Sequence, residues 1–329
     1  MRYSNTHSRL RTAISLLALF SLFIAAIPVS AQVPEQVSVS ITDMNKGEFR
    51  STAEEHISSA LTTINSTFSE KKDPAFNSDI ASTTFSSTII ELWQAQFFYI
   101  PDERIIESIS RRSDGTFEMR NIPIYLVDKA GKEHYEEGVV SFDSDGKLLE
   151  FRIGLPKHRF VKLLQQGQDE IDAENRHHIL TFVENFRTAY NRKDLDYITN
   201  VFSDQALIIV GRVIENTGEE SAFEKQVEYL KYSKTEYVDR LGRIFAQNNW
   251  IDVGFSEIEI LRHPKHPEIY GVSLTQYYNS TNYSDEGYLF LLIDFKNRDK
   301  PKIHVRTWQP TDAVTSAEMA FSLGDMEIF

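Results

Sequence analysis

The stretch from His178 to Val213, HILTFVENFRTAYNRKDLDYITNVFSDQALIIVGRV, constrains the fold more than any other. Ile179, Phe182, Val183, Phe186 and Tyr190 recur at helical spacing, so the segment opens as a helix with one apolar face. Asn191 and Lys193 break that helix, and Leu195, Ile198 and Phe202 mark a second, short one. Ala206 to Val213 is then almost continuously apolar, which predicts a strand covered on both faces and therefore central in its sheet. Two helices feeding a central strand require a layered α+β core.

The same spacing occurs earlier, at Ile57, Ala60, Leu61, Ile64 and Phe68, each at one constant offset from its later counterpart. This helix starts near Ser51 and ends at Lys71 to Pro74; Ile89, Ile90, Leu92 and Trp93 then suggest a shorter helix reaching Gln96. Beyond Pro101 the period falls to two. Arg104 to Ser110, Phe117 to Val127, Tyr135 to Phe142 and Leu148 to Leu155 read as strands, with glycine-containing polar gaps that suit tight hairpins. Pro123 cannot donate a ladder hydrogen bond, so an edge or a bulge is expected there. A helix over His158 to Leu164 and the polar run Gln165 to Glu170 then make a junction. The expected organisation is α+β, with two units, each packing N-terminal helices on an antiparallel sheet. Their boundaries fall at 32–168 and 169–312, followed by a tail at 313–329.

The second unit continues with a strand over Gln226 to Tyr232 and a helix started by a capping box, Ser233 with Glu236, whose stripe is Tyr237, Val238, Leu241, Ile244 and Phe245. Strands follow over Trp250 to Leu261, Glu268 to Tyr278, Tyr288 to Phe295 and Ile303 to Trp308.

Residues 1–31 belong to neither unit. Arg2, Arg9 and Arg11 precede an apolar run from Ala13 to Ile27, then Pro28 and the small-residue site Val29-Ser30-Ala31, which is the layout of a secretory signal peptide; an uncleaved anchor is the rival reading. No later stretch is long and apolar enough to span a bilayer, so export to the periplasm or cell exterior of a Gram-negative bacterium is expected, with no membrane span after cleavage. The chain carries 48 acidic against 35 basic residues, which argues against nucleic acid as a partner. Cysteine is absent, which removes thiol catalysis, disulfides and Cys-ligated metal.

The run FVENFRTAYNRKDLDYITNVFSDQALIIVG, Phe182 to Gly211, with its Tyr190-Asn191 exit, Lys193-Asp194-Leu195 and Phe202-Ser203-Asp204, resembles the opening of the polyketide cyclase-like branch of the nuclear-transport-factor-2-like, or cystatin-like cone, superfamily. YLFLLIDFKNRDKPKIHVRTWQP, Tyr288 to Pro310, resembles its closing hairpin. The whole chain is also similar to uncharacterised exported proteins of the Bacteroides type. The superfamily holds isomerases, dehydratases, cyclases, transport factors and interaction modules, so the resemblance implies a fold, two cone-like α+β units with N-terminal helices on a strongly curved antiparallel sheet, and leaves function open.

Chemistry is best sought on that hairpin. If Asp294 faces His304, alternation gathers Tyr288, Phe290, Asp294, His304, Arg306 and Trp308 on one face and aliphatic residues on the other. Asp294, His304 and Arg306 could then serve as base, proton carrier and anion clamp. Tyr190, Tyr278, Tyr288, Phe290 and Trp308 are the candidate pocket residues. The plain alternative is a cross-strand charge pair on an outer face. His263-Pro264-Lys265-His266 reads as a turn, His177-His178 as surface and cap, and Asp143 to Gly146 as a hairpin turn whose Lys147 and Leu148 spoil a calcium loop. No phosphate loop, nucleophile elbow or zinc motif is present, and neither metal nor cofactor is expected. The expected function is an exported, non-enzymatic binding or interaction module for a small hydrophobic or aromatic ligand or a protein, with a possible homodimer through a sheet face. The rival is a small-molecule isomerase, dehydratase or cyclase with its pocket in the second unit.

Overall fold

A computed structural model describes residues 33–128, 130–166, 171–214 and 226–311, all within one compact unit. The leader, part of the junction, the acidic loop at Glu219 and Glu220 and the tail from Asp312 lie outside the described residues.

The first half begins with β1 (Ser38–Ile41), α1 (Glu48–Glu70) and α2 (Thr83–Ala95). Ala53, Ile57, Ala60, Leu61 and Ile64 of α1 are buried, as their spacing requires. The second helix starts well before Ile89, because the Ser82 hydroxyl accepts the Phe85 N–H at 3.0 Å and caps it. The expected strand from Arg104 splits at Ser108 into β3 (Arg104–Glu107), which pairs in parallel with β1, and β4 (Ile109–Arg111). A second sheet runs β2 (Phe97–Tyr99), β5 (Phe117–Val127), β6 (Glu133–Phe142) and β7 (Leu148–Gly154), with β4 also on β5. Pro123 sits where β5 needs no N–H on one side: β4 covers residues 117–119 and β2 covers 125–127, leaving the gap between them open. The register against β6 shifts between Met119 and Ile122, with Asn121 left-handed at φ 65°. The Asp143 carboxylate accepts the N–H groups of Asp145 and Lys147, and Gly146 supplies φ 83°, which closes the expected hairpin.

After α3 (Lys157–Gln165), the second half comprises α4 (Ala173–Asn191), α5 (Leu195–Val201), β8 (Phe202–Ile214), β9 (Gln226–Tyr232), α6 (Lys234–Gln247), β10 (Ile251–Arg262), β11 (Ile269–Ser280), β12 (Ser284–Asp294) and β13 (Lys302–Pro310). Its sheet has the order β10-β11-β12-β13-β8-β9 and is antiparallel except between β13 and β8. β8 is thus interior, as its apolar run predicts. The sheet curls strongly and packs on α4, α5 and α6, giving the α+β cone fold. The Ser233–Glu236 capping box is present in full.

Each sheet has its own apolar core, and α4 packs between β7 and β10. The side of α4 turned towards the first half is charged yet buried. Glu184, wholly inaccessible, accepts Arg152 Nε at 2.9 Å, the Leu155 N–H at 2.7 Å and two bonds from Arg120. Glu118 accepts Arg152 Nη2 at 2.5 Å and Arg120 Nη1 at 3.1 Å, and His177 Nε2 lies 3.3 Å away. The Arg120 guanidinium also lies 3.5 Å from the Phe160 ring centroid. Arg187 donates to the carbonyls of Val253 at 2.5 Å and Gly154 at 3.3 Å and to Glu136. His177 is therefore 6% exposed inside this network, not at the surface or the cap; Asp172 caps α4 instead.

Candidate functional site

The hairpin of β12 and β13 does not keep the register that would place Asp294 opposite His304. Asp294 pairs with Lys302 and Ile293 with Ile303, but Leu292 pairs with Val305, so His304 is an extra, bulged residue. One inserted residue turns every later side chain to the opposite face. Ile303 points into the main core, whereas Val305 joins Phe290 and Leu292 in a separate cluster on the other face. Arg306 and Trp308 consequently face inward, paired with Leu291 and Leu289. The six residues expected together are divided. Arg306 and Trp308 line a cavity; Phe290 is buried at 2% in the opposite cluster, and Tyr288 shares its face by alternation. Asp294 and His304 are half-exposed neighbours, Nε2 to Oδ2 3.5 Å, outside the cavity lining.

The cavity, about 870 Å³, opens between the end of α4, helix α6 and strands β8, β9, β11, β12 and β13. Its walls include Val210, Leu230, Tyr232, Leu241 and Ile244. Of the expected pocket residues Tyr190, Tyr278 and Trp308 line it, while Tyr288 and Phe290 do not. Tyr190 ends the aromatic stripe of α4, wedged between Phe186 at 5.1 Å and Phe245 at 6.0 Å between ring centroids. Its hydroxyl lies 2.5 Å from that of Tyr237, which the capping box of α6 places one turn into that helix. The Arg306 guanidinium sits 5.2 Å from the Tyr237 ring centroid.

Burial dominates the electrostatics. It pushes the Tyr190 hydroxyl well above the usual phenol range, with neighbouring Tyr237 reinforcing the shift, and it pushes Tyr278 up to about 12. Burial also raises the Asp285 carboxyl, despite the opposing effects of Tyr283 and Arg306. For Arg306 burial favours loss of the proton, but Tyr237, Tyr190 and Asp285 outweigh it and the guanidinium is held more firmly charged.

Four polar atoms of residues lining the cavity have no hydrogen-bond partner among the described residues: Arg306 Nε, Trp308 Nε1, the Tyr278 hydroxyl and Asp285 Oδ1. A buried polar atom without a partner costs about 1–3 kcal/mol, so four within the residues that line one concave surface mark a place suited to a ligand. They come from three adjacent strands, so the sheet fixes their spacing. Gly287 makes the arrangement possible: a Cβ there would lie 2.5–2.6 Å from the Trp308 indole and 2.5 Å from the Gln309 carbonyl oxygen. Asp285 and Tyr237 were not singled out from the sequence as site residues. The available signals were the tyrosine-flanked loop Asn279 to Gly287, which holds Asp285, and the place of Tyr237 just after the capping box.

Elsewhere, His263 Nδ1 accepts the N–H groups of Lys265 and His266 at 3.1 and 3.0 Å, so that pair builds a turn. Among the described residues no cluster of three His, Asp or Glu could hold a metal, and no helix is long and apolar enough to cross a membrane.

Residues 221–305 match the family model described as the Cds6 C-terminal NTF2-like domain. No curated protein matches the sequence. Among solved structures, Bd1075 of Bdellovibrio bacteriovorus is similar over 50% of this chain at 16% identity and a TM-score of 0.32; the match spans 45% of that protein's length. An NTF2-like protein of Cytophaga hutchinsonii is similar over 41% of this chain and 97% of its own at 13% identity and a TM-score of 0.30.

Proposed function

Starting from a chain that is NTF2-like in its second half, we propose that it is an exported, non-enzymatic binding module whose cavity between α6 and the curled sheet holds a small molecule. The fold serves binding modules and enzymes alike, so the reading depends on the cavity. The observation that carries it is the set of four unpaired polar atoms, on Arg306, Trp308, Tyr278 and Asp285, above apolar walls. Such a site orients a ligand by a few placed polar groups and holds its body by apolar contact. The apolar leader after Arg2, Arg9 and Arg11 supports export to the periplasm or cell exterior. Native mass spectrometry of the purified protein should show a small-molecule mass increment that denaturation removes. Absence of the increment, together with no thermal stabilisation by any member of a small-molecule library, would refute the reading.

A second reading is favoured by one specific observation, the raised carboxyl of Asp285 beside Arg306 and the Tyr190–Tyr237 pair. In an isomerase, dehydratase or cyclase, Asp285 would take a proton from carbon while the tyrosine pair and Arg306 stabilise the developing oxyanion. Turnover of a bound compound that Asp285→Asn abolishes without loss of binding would establish this reading in place of the first.

A further inference from the structure

The nature of the four unpaired atoms restricts the ligand further. Arg306 is 5% exposed, its Nε–H has no acceptor, and among the described residues no carboxylate comes within ion-pair distance of it. A buried guanidinium normally has a carboxylate partner, because an uncompensated charge in a low-dielectric site is unfavourable. Its neighbours Tyr190 and Tyr237 are hydrogen-bonded to each other. The Trp308 indole N–H, a pure donor, is also free, two residues along the same strand and on the same face. The site therefore presents a guanidinium without an ion-pair partner among the described residues and a second donor beside it; of the two carboxyl residues in the lining, Asp285 and Glu286, burial favours the uncharged form of Asp285. Around it stand flat or branched apolar groups, Val210, Tyr232 and Leu241, and two further arginines, Arg212 and Arg240, also line the cavity.

We infer that the ligand of this cavity is an organic monoanion, a carboxylate on a flat apolar body, whose carboxylate sits on Arg306 and the indole N–H of Trp308. This inference rests on the binding reading above and adds the ligand's charge. A guanidinium matches a planar carboxylate in both geometry and charge, whereas a neutral amide of equal shape offers one weaker acceptor and its own N–H groups to an environment of donors. Tyr278 and Asp285, paired with each other on the adjacent strands β11 and β12, remain for a second polar group of the ligand.

The test uses two probes of equal shape, 2-naphthoate and 2-naphthamide, titrated calorimetrically into the full chain near neutral pH. The carboxylate should bind about tenfold or more tightly than the amide, the margin expected of charge-assisted bonds to a buried arginine. In Arg306→Gln that margin should collapse to about twofold, chiefly through loss of carboxylate affinity, since the charged anchor has gone. Equal affinity of both probes for the wild type would overturn the anion inference and leave the cavity's role as a binding site standing. Failure of both probes to bind would overturn the inference of a carboxylate on a flat apolar body, while the binding reading stands or falls by the mass-spectrometric and library tests above. Should Arg306→Gln not fold, the wild-type ratio still decides, and Arg306→Lys, with charge but no planar fork, should show an intermediate margin; a tenfold margin persisting in a folded Arg306→Gln would also overturn the inference.

Discussion

Replacing Glu184 by Gln tests whether the buried charge network between the two sheets is a balanced unit. Glu184 is wholly buried, with one oxygen accepting from Arg152 and Arg120 and the other from Leu155 and Arg120. A Gln amide nitrogen must take one of these places, where it meets two donors with a third. The pair of carboxylates, Glu118 and Glu184, would then no longer match the pair of guanidiniums, Arg120 and Arg152. Removing one partner of a buried pair costs about 3–5 kcal/mol. With a urea slope of about 2–3 kcal/mol per M, the unfolding midpoint followed by circular dichroism should fall by roughly 1–2.5 M with little change in slope. Adding Arg152→Met restores the charge balance, so the double variant should lose less than the sum of the single losses by about 1 kcal/mol or more. A midpoint shift under about 0.3 M for Glu184→Gln would show that the network contributes little and that the reasoning is wrong.

Three further outcomes follow from particular contacts. Gly287→Ala should displace the Trp308 indole, so tryptophan fluorescence should shift and naphthoate affinity should fall about tenfold or more, while far-ultraviolet dichroism stays native. Acid should destabilise the protein in two steps: burial lowers the folded pKa of His177, so stability present above its unfolded value of 6.5 declines as pH falls below it, and Glu118, held well below 4.5, adds a second loss below that value; a flat urea midpoint from pH 7 to 4 would contradict this. Ser233→Ala removes one half of a complete capping box and should cost about 1 kcal/mol in a urea melt, whereas a loss indistinguishable from zero would show that the cap adds no stability.

Much of the fold is legible in local pattern. The aromatic stripe of α4, the apolar run of β8 and the Ser233–Glu236 pair each fix an element with little help from tertiary context. The site is harder to read because one residue decides it. Strict alternation through Ile303-His304-Val305 groups Arg306 with His304, and the sequence carries no sign that His304 bulges; the bulge depends on how β13 fits between β12 and β8, both of which shift register nearby. The charged face of α4 misleads for a related reason. Glu184 and Arg187 look like a solvated side until β5 and β7 bring Glu118, Arg120 and Arg152 against them, and those partners lie far away in sequence.

The parallel pairing of β13 with β8 has a consequence for how the chain comes to be able to bind anything. β13 inserts between β12, which directly precedes it, and β8, made much earlier, so a nascent chain leaving the ribosome can pair β8 with β9 and β10 with β11 and β12, yet cannot join these two pieces until residues 302–310 emerge. Long-range pairing of this kind is slow to form. Arg306 and Trp308 arrive on that same strand, so joining the sheet and completing the pocket are one event. Chains stopped before Lys302 should expose apolar strand edges and bind no ligand, and a cell's quality control would meet them as aggregation-prone fragments, never as a weakened form of the protein.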